Sequence, residues 1–336
     1  MAHRWHPMNL TDLNAIAQQN RLFQHACASG ADSPSMSIFT REQAMKFVDT
    51  SVLRIGYEEW NPDAARTVVL LHGWPDSPRT WAQVAPVLAL QGWRVIVPAL
   101  RGFSPTRFLS DDTPRSGQLS VLGRDLLELI AQLRLHKPAL VGHDWGARAA
   151  GNACALQPGV ASHLVLLSVA YGTNLPSQDL SLEQARQYWY HWYMATPRGQ
   201  RAVRENRNAF AKIMWETWAP SGWFTPEEFE TTAQAFANDD WPEVTLNSYQ
   251  HRWGHAPGDV CYAAEEQALS IITPLDVPTL ILHGDADGVN LPASFMGQSQ
   301  YFLNRYERKL MPGIGHFPQR EDPEQVASEL IKFLAV

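Results

Sequence analysis

The chain has 336 residues, 45% of them hydrophobic and 18% charged, with thirteen Trp and a formal net charge of −7. That length is ample for a large core, and the acidic balance leaves no basic stripe to neutralise phosphates, so the composition excludes nucleic acid as a partner. No apolar run reaches the roughly 18 residues of a membrane-crossing helix, and the N-terminal segment lacks an apolar signal core, so a cytoplasmic protein with no membrane partner is expected.

Residues 1–43 are polar and irregular, with a loop at 32–35, and read as an extension that carries no chemistry. From about residue 45 short β-branched runs alternate with turn clusters and helical patterns. Buried parallel strands are expected at 67–71 (TVVLL), 94–98 (RVIVP), 139–142 (ALVG), 163–168 (HLVLLS) and 279–283 (TLILH), with Leu310 near the end of a sixth. Helices are expected over 80–91, 118–135, 145–157 and 323–335. This order predicts an α/β fold: a mostly parallel central sheet with helices on both faces. The interval 170–273 has no strand-like run but many aromatic residues at helical spacing, and is expected to be a helical cap inserted into one core formed by 44–169 and 274–336.

The segment 140–147 (LVGHDWGA) falls where a buried strand must turn sharply into a helix. Gly142 and Gly146 suit such a turn, and the residue thrust forward between them is Asp144. A carboxylate at a helix N-terminus is kept ionised by the dipole and backbone N–H groups and can attack an electrophilic carbon. Alone, Asp144 is equally well read as a helix cap. Three further segments favour the nucleophile. The 71–75 segment (LHGWP) follows a strand and would set the backbone N–H of Trp74 opposite that of Trp145, two donors for an oxyanion. The 284–287 turn (GDAD) supplies an acid, and 313–318 (GIGHFP) puts His316 in a tight loop before the last helix. Nucleophile, acid and histidine then follow in the order of an α/β-hydrolase.

These motifs resemble, over residues 50–334, the α/β-hydrolase family of epoxide hydrolases and dehalogenases. The resemblance implies Asp144 as nucleophile, His316 as the base that activates water and Asp287 as its partner, with Asp285 the second candidate for the acid. In the aromatic segment 188–193 (YWYHWY), Tyr190 and Tyr193 would share one helix face, and Tyr190 matches a cap tyrosine of epoxide hydrolases. Tyr249, in 246–249 (LNSY), matches a second. Two phenols can donate to an epoxide oxygen and protonate it as the ring opens. The pair His191 and Trp192, with a later Tyr, is also similar to the halide cradle of haloacetate dehalogenases. Arg148 resembles one of the two arginines with which those enzymes hold a carboxylate, while the other position is occupied by the uncharged Trp145.

No cofactor and no metal is implied. His251 and His255 are four apart, but Gly254 and Pro257 interrupt a helix there and no third ligand stands nearby. Cys27, Cys154 and Cys261 are scattered, without CxxC spacing, and suggest neither disulfides nor zinc. His72 and His143 are expected to make structural hydrogen bonds beside the two loops, and Arg101 is assigned no catalytic role. The expected partner is a small-molecule substrate of apolar or aromatic character, and a homodimer is left open. The expected reaction is hydrolysis of an epoxide to a vicinal diol, with halide displacement by the same Asp as the alternative; a non-catalytic ligand-binding protein of the same fold is a further possibility.

Overall fold

Along the central strands, successive side chains enter different cores. Val69, Leu71, Leu140, Leu164, Leu166 and Ile281 lie in one apolar cluster, while Val68, Leu70, Val141, Val165, Leu167, Leu280 and Leu282 lie in another. That period of two is what a strand buried on both faces requires. The computed structural model describes residues 44–173 and 178–335. The expected N-terminal extension and Cys27 lie outside the described residues.

Among the described residues, nine strands form one sheet. They are β1 (Lys46–Asp49), β2 (Leu53–Trp60), β3 (Arg66–Leu71), β4 (Trp93–Pro98), β5 (Arg107–Phe108), β6 (Ala139–His143), β7 (His163–Leu167), β8 (Thr279–Gly284) and β9 (Tyr306–Met311). The order is β1-β2-β4-β3-β6-β7-β8-β9, with β5 pairing β2. All pairings from β4 through β9 along this path are parallel, and β2 runs antiparallel to its neighbours. The six expected parallel strands are present within a residue or two; β1, β2 and β5 are additional.

Helices cover both faces. α1 (Ala85–Leu90) and α12 (Pro323–Leu334) pack on one cluster through Leu88, Val326, Leu330 and Phe333, while α2 (Leu119–Gln132) and α3 (Trp145–Leu156) pack on the other. The helix expected over 80–91 is broken: a 3-10 turn at Pro78–Trp81 precedes α1, which carries a proline in its first two positions. Between β7 and β8 come α4 (Leu182–Gln187), α5 (Trp189–Met194), α6 (Pro197–Glu205), α7 (Arg207–Thr217), α8 (Pro226–Ala233), α9 (Trp241–His251) and α10 (Ala263–Leu269). No strand occurs there among the described residues. α11 (Pro318–Glu321) precedes α12. No described helix is long and apolar enough to cross a membrane. Trp74, Asp144, Asp287 and His316 each lie just beyond the carboxyl end of a parallel strand, β3, β6, β8 and β9 respectively, where open α/β sheets gather ligands.

Candidate active site

Asp144 joins β6 to α3 at φ 48° and ψ −111°, a left-sided conformation that a non-glycine residue adopts at a cost of about 1–3 kcal/mol. The two flanking glycines are sterically required. A Cβ on Gly142 would lie 2.2 Å from the Gly146 carbonyl oxygen, and one on Gly146 would lie 2.3 Å from that of Leu71. Asp144 occupies the N-cap position of α3, yet its side chain makes no capping bond. Instead Oδ1 accepts the backbone N–H of Trp74 at 2.9 Å. The helix-cap reading therefore fails on geometry: the carboxylate is turned toward the loop after β3. One of the two expected oxyanion donors thus already holds the carboxylate, and the other, the Trp145 N–H, heads α3. Burial raises the Asp144 pKa, but the neighbouring His316, His143 and the Trp74 N–H outweigh it and bring it down to about 2.

His316 is fully buried, with Nδ1 2.9 Å from Asp287 Oδ2 and Nε2 3.8 Å from Asp144 Oδ2. The second distance is too long for a direct hydrogen bond, so the imidazole acts on Asp144 through its charge. Burial alone would lower the His316 pKa, but Asp287 and Asp144 together push it up to about 10. Asp287 is locked in turn. Its Oδ1 accepts the N–H groups of Val289 at 2.7 Å and Asn290 at 3.0 Å, and its Oδ2 lies 3.2 Å from His283 Nε2. His283 Nε2 also faces the Asn290 carbonyl at 2.9 Å, so this nitrogen carries the proton and donates. Although burial raises the Asp287 pKa, His316 and His283 hold it well below the usual carboxylate range. Asp285 is exposed and accepts the Gly313 N–H at 2.7 Å, which makes it a turn residue.

His72, His143 and Arg101 are each engaged within the protein. His72 Nδ1 donates to the Gly73 carbonyl and its Nε2 accepts the Leu100 N–H, a neutral tautomer consistent with burial lowering its pKa to about 4. His143 Nε2 lies 2.7 Å from the His316 carbonyl. Arg101 forms two bonds of 2.6 Å to Asp125.

Opposite the carboxylate stands an aromatic wall. The Trp74 ring stacks on Tyr190 at 5.8 Å and meets Tyr249 edge-on at 5.0 Å, and the two tyrosine rings lie 5.3 Å apart. The Tyr249 hydroxyl accepts Trp145 Nε1 at 3.2 Å, so its own proton stays available to a ligand. Burial, reinforced by the Asp144 charge and by one phenol on the other, raises the Tyr190 pKa far above its ordinary value; burial and then Asp144 do the same for Tyr249. Both phenols are therefore neutral at physiological pH. His191 packs on Tyr249 at 4.7 Å. Two expectations are corrected. Tyr193 does not join Tyr190: it stacks on Phe210. Trp192 is half-buried against Trp253, and its indole N–H is bound to the Ala185 carbonyl at 2.9 Å. Arg148 is buried and donates to the Thr173 carbonyl at 2.9 Å. Sequence reasoning missed His283 and Asn290 behind Asp287, and Trp218, whose ring lies 5.0 Å from His316 and 5.1 Å from Tyr190. Nothing in local spacing marks them; they converge only through the fold.

A family model described as alpha/beta hydrolase fold matches residues 66–323. With the topology above, the chain belongs to the alpha/beta hydrolase fold family. Within that family it is epoxide hydrolase-like. A solved structure from Klebsiella pneumoniae subsp. pneumoniae, described as a candidate epoxide hydrolase, is similar with TM-score 0.83 and 36% identity, covering 90% of this chain and 100% of that one. An epoxide hydrolase of Caballeronia sordidicola is 26% identical over 300 residues, 81% of this chain and 88% of that protein. Epoxide hydrolase A of Mycobacterium tuberculosis is 23% identical over 324 residues, 86% and 96% of the two chains.

Proposed function

We propose that this protein hydrolyses epoxides to vicinal diols through a covalent ester on Asp144. The observation that carries the reading is the Asp144 carboxylate, strained forward, pinned by the Trp74 N–H, beside a buried His316–Asp287 pair and facing two neutral phenols. The relatives named epoxide hydrolases support the leaving group. In the first half-reaction an Asp144 oxygen attacks an oxirane carbon, the C–O bond breaks, and the oxygen takes a proton from Tyr190 or Tyr249, giving a hydroxyalkyl ester. Esterification removes one of the two negative charges that hold His316 protonated, so its pKa falls and it gives up the proton that restores the phenol, leaving a neutral imidazole as the base. His316, oriented by Asp287, then takes a proton from water. The hydroxide adds to the Asp144 carbonyl, the N–H groups of Trp74 and Trp145 stabilise the oxyanion, and collapse breaks the bond to the alkyl oxygen, which takes the carboxyl proton and leaves as the diol, returning Asp144 as a carboxylate beside a protonated His316.

In this reading the helical interval 170–273 is a cap over the core, because it contributes both phenols and the Trp218 ring against His316. The aromatic wall fits an apolar or aromatic small molecule. Halide displacement is the weaker alternative, since the Trp192 N–H that would hold a halide is already bound to Ala185. The test is a single turnover of an epoxide in water labelled with heavy oxygen. The diol from the first turnover should carry the unlabelled oxygen of Asp144, with label entering only in later turnovers; label in the first product would mean direct attack by water and overturn the ester route.

A further inference from the structure

The main chain around His316 is held from several directions. The N–H groups immediately before and after the histidine both donate to one carboxylate: Gly315 to Glu321 Oε2 at 2.7 Å and Phe317 to Glu321 Oε1 at 2.8 Å. The His316 N–H donates to the Trp218 carbonyl at 3.1 Å, and that carbonyl also accepts the N–H of Gly288, the residue after Asp287, at 3.0 Å. The His316 carbonyl faces His143 Nε2 at 2.7 Å. Trp218 acts through its backbone and His143 on a single group, whereas the Glu321 side chain grips the loop on both sides of the histidine.

A carboxylate that reaches back to the residue before a helix is ordinarily a helix cap. Phe317 is the N-cap residue of α11, and capping it would occupy one oxygen. The other oxygen passes beyond the helix and across His316 to Gly315, which no cap requires. The platform that carries this carboxylate is itself fixed. Gln319 donates to Thr80 Oγ1 at 2.8 Å, and Arg320 donates to Asp76, two residues past Trp74, at 2.6 and 3.0 Å. Arg320 also donates to Glu228 of α8 at 2.6 Å. Burial raises the Glu321 pKa, and the two N–H groups and the His316 charge oppose that rise.

We propose, resting on the ester route above, that Glu321 is a positioning residue for His316: its two oxygens grip the main chain on either side of the histidine and keep Nε2 aimed at the water that attacks the ester. Ester formation draws on Asp144 and the phenols, whereas hydrolysis needs the imidazole in place. Misplacing a reacting group by about 1 Å can cost about 10²-fold in rate. A Gln at position 321 offers one acceptor and turns its NH₂ toward the other N–H, so one side of the grip opens. An Ala there releases both N–H groups to water at a half-buried site, without that clash.

The test follows styrene oxide by rapid quench in the whole protein, unsubstituted and as Glu321→Gln and Glu321→Ala. In both variants the ester on Asp144 should form within about threefold of the unsubstituted rate constant, while its hydrolysis slows by about tenfold or more. A smaller folded fraction lowers amplitudes and leaves these rate constants alone, so the split between the two steps is specific to positioning. Equal slowing of both steps, or hydrolysis at the unsubstituted rate in both variants, would overturn the proposal. Hydrogen exchange gives a readout independent of the chemistry: amides of residues 313–317 should lose about tenfold or more of their protection in each variant, while those of β8 keep theirs. If styrene oxide leaves no ester even on His316→Gln, the epoxide reading falls and exchange decides the grip alone. Unchanged protection over 313–317 would then overturn it, and selective loss there would sustain it.

Discussion

Replacing Asp287 by Asn should separate the two half-reactions. The Asp287 Oδ1 position is fixed by the N–H groups of Val289 at 2.7 Å and Asn290 at 3.0 Å, so an Asn must put its carbonyl there and its NH₂ where Oδ2 now faces His316 Nδ1 at 2.9 Å. A donor cannot face the Nδ1 proton, and His316 must shift that proton to Nε2. Nε2 is the atom that has to receive a proton from water, so the base is lost while the fold is kept. A comparable tautomer trap costs about 10⁴-fold in rate, which corresponds to about 5.5 kcal/mol of transition-state stabilisation. Ester formation on Asp144 needs no base and should stay within about tenfold, its acid help coming from the phenols. Rapid-quench kinetics with an epoxide should show a burst of one equivalent followed by near arrest. Asp285→Asn, at an exposed turn, should leave both steps unchanged. A full turnover rate in Asp287→Asn, or an equal loss in both half-reactions, would refute the relay from Asp287 through His316.

Tyr190→Phe and Tyr249→Phe should each slow ester formation by about 10²-fold and leave ester hydrolysis intact, measured as burst rate against steady-state rate; loss confined to the hydrolytic step would place the phenols elsewhere. Stability should also depend on pH through His316. Its pKa is raised from 6.5 to about 10 on folding, so its contribution is complete below 6.5 and is lost as pH rises to about 10. The unfolding midpoint should therefore fall across that window, and the fall should flatten in His316→Gln. The Asp144 pKa is depressed from 3.8 to about 2, so its contribution is present above 3.8 and lost as pH falls toward 2; Asp144→Asn should reduce that acid slope.

What could be read from the sequence follows from how each part is encoded. β3, β4, β6, β7 and β8 are buried on both faces, and that writes continuous β-branched runs into the chain. β2 stayed hidden because it carries Arg54, Glu58 and Glu59 in a strand whose partners lie on other elements; Glu59 is buried only because Lys46 and Arg94 pair with it. The elbow was legible since Gly142 and Gly146 answer a local steric demand. Asp287 could be told from Asp285 only by resemblance, and the structure separates them by burial and by the His316 contact. Tyr190 and Tyr193, three apart on one short helix, diverge because Phe210 captures Tyr193.

The central claim is a covalent bond between substrate and Asp144, and intact-mass measurement of His316→Gln after incubation with an epoxide tests it most directly. The expected result is an added mass equal to the whole epoxide, located on Asp144 by peptide mapping and absent when Asp144 is also replaced by Ala. An unmodified His316→Gln protein that still produced diol at the unsubstituted rate would contradict it.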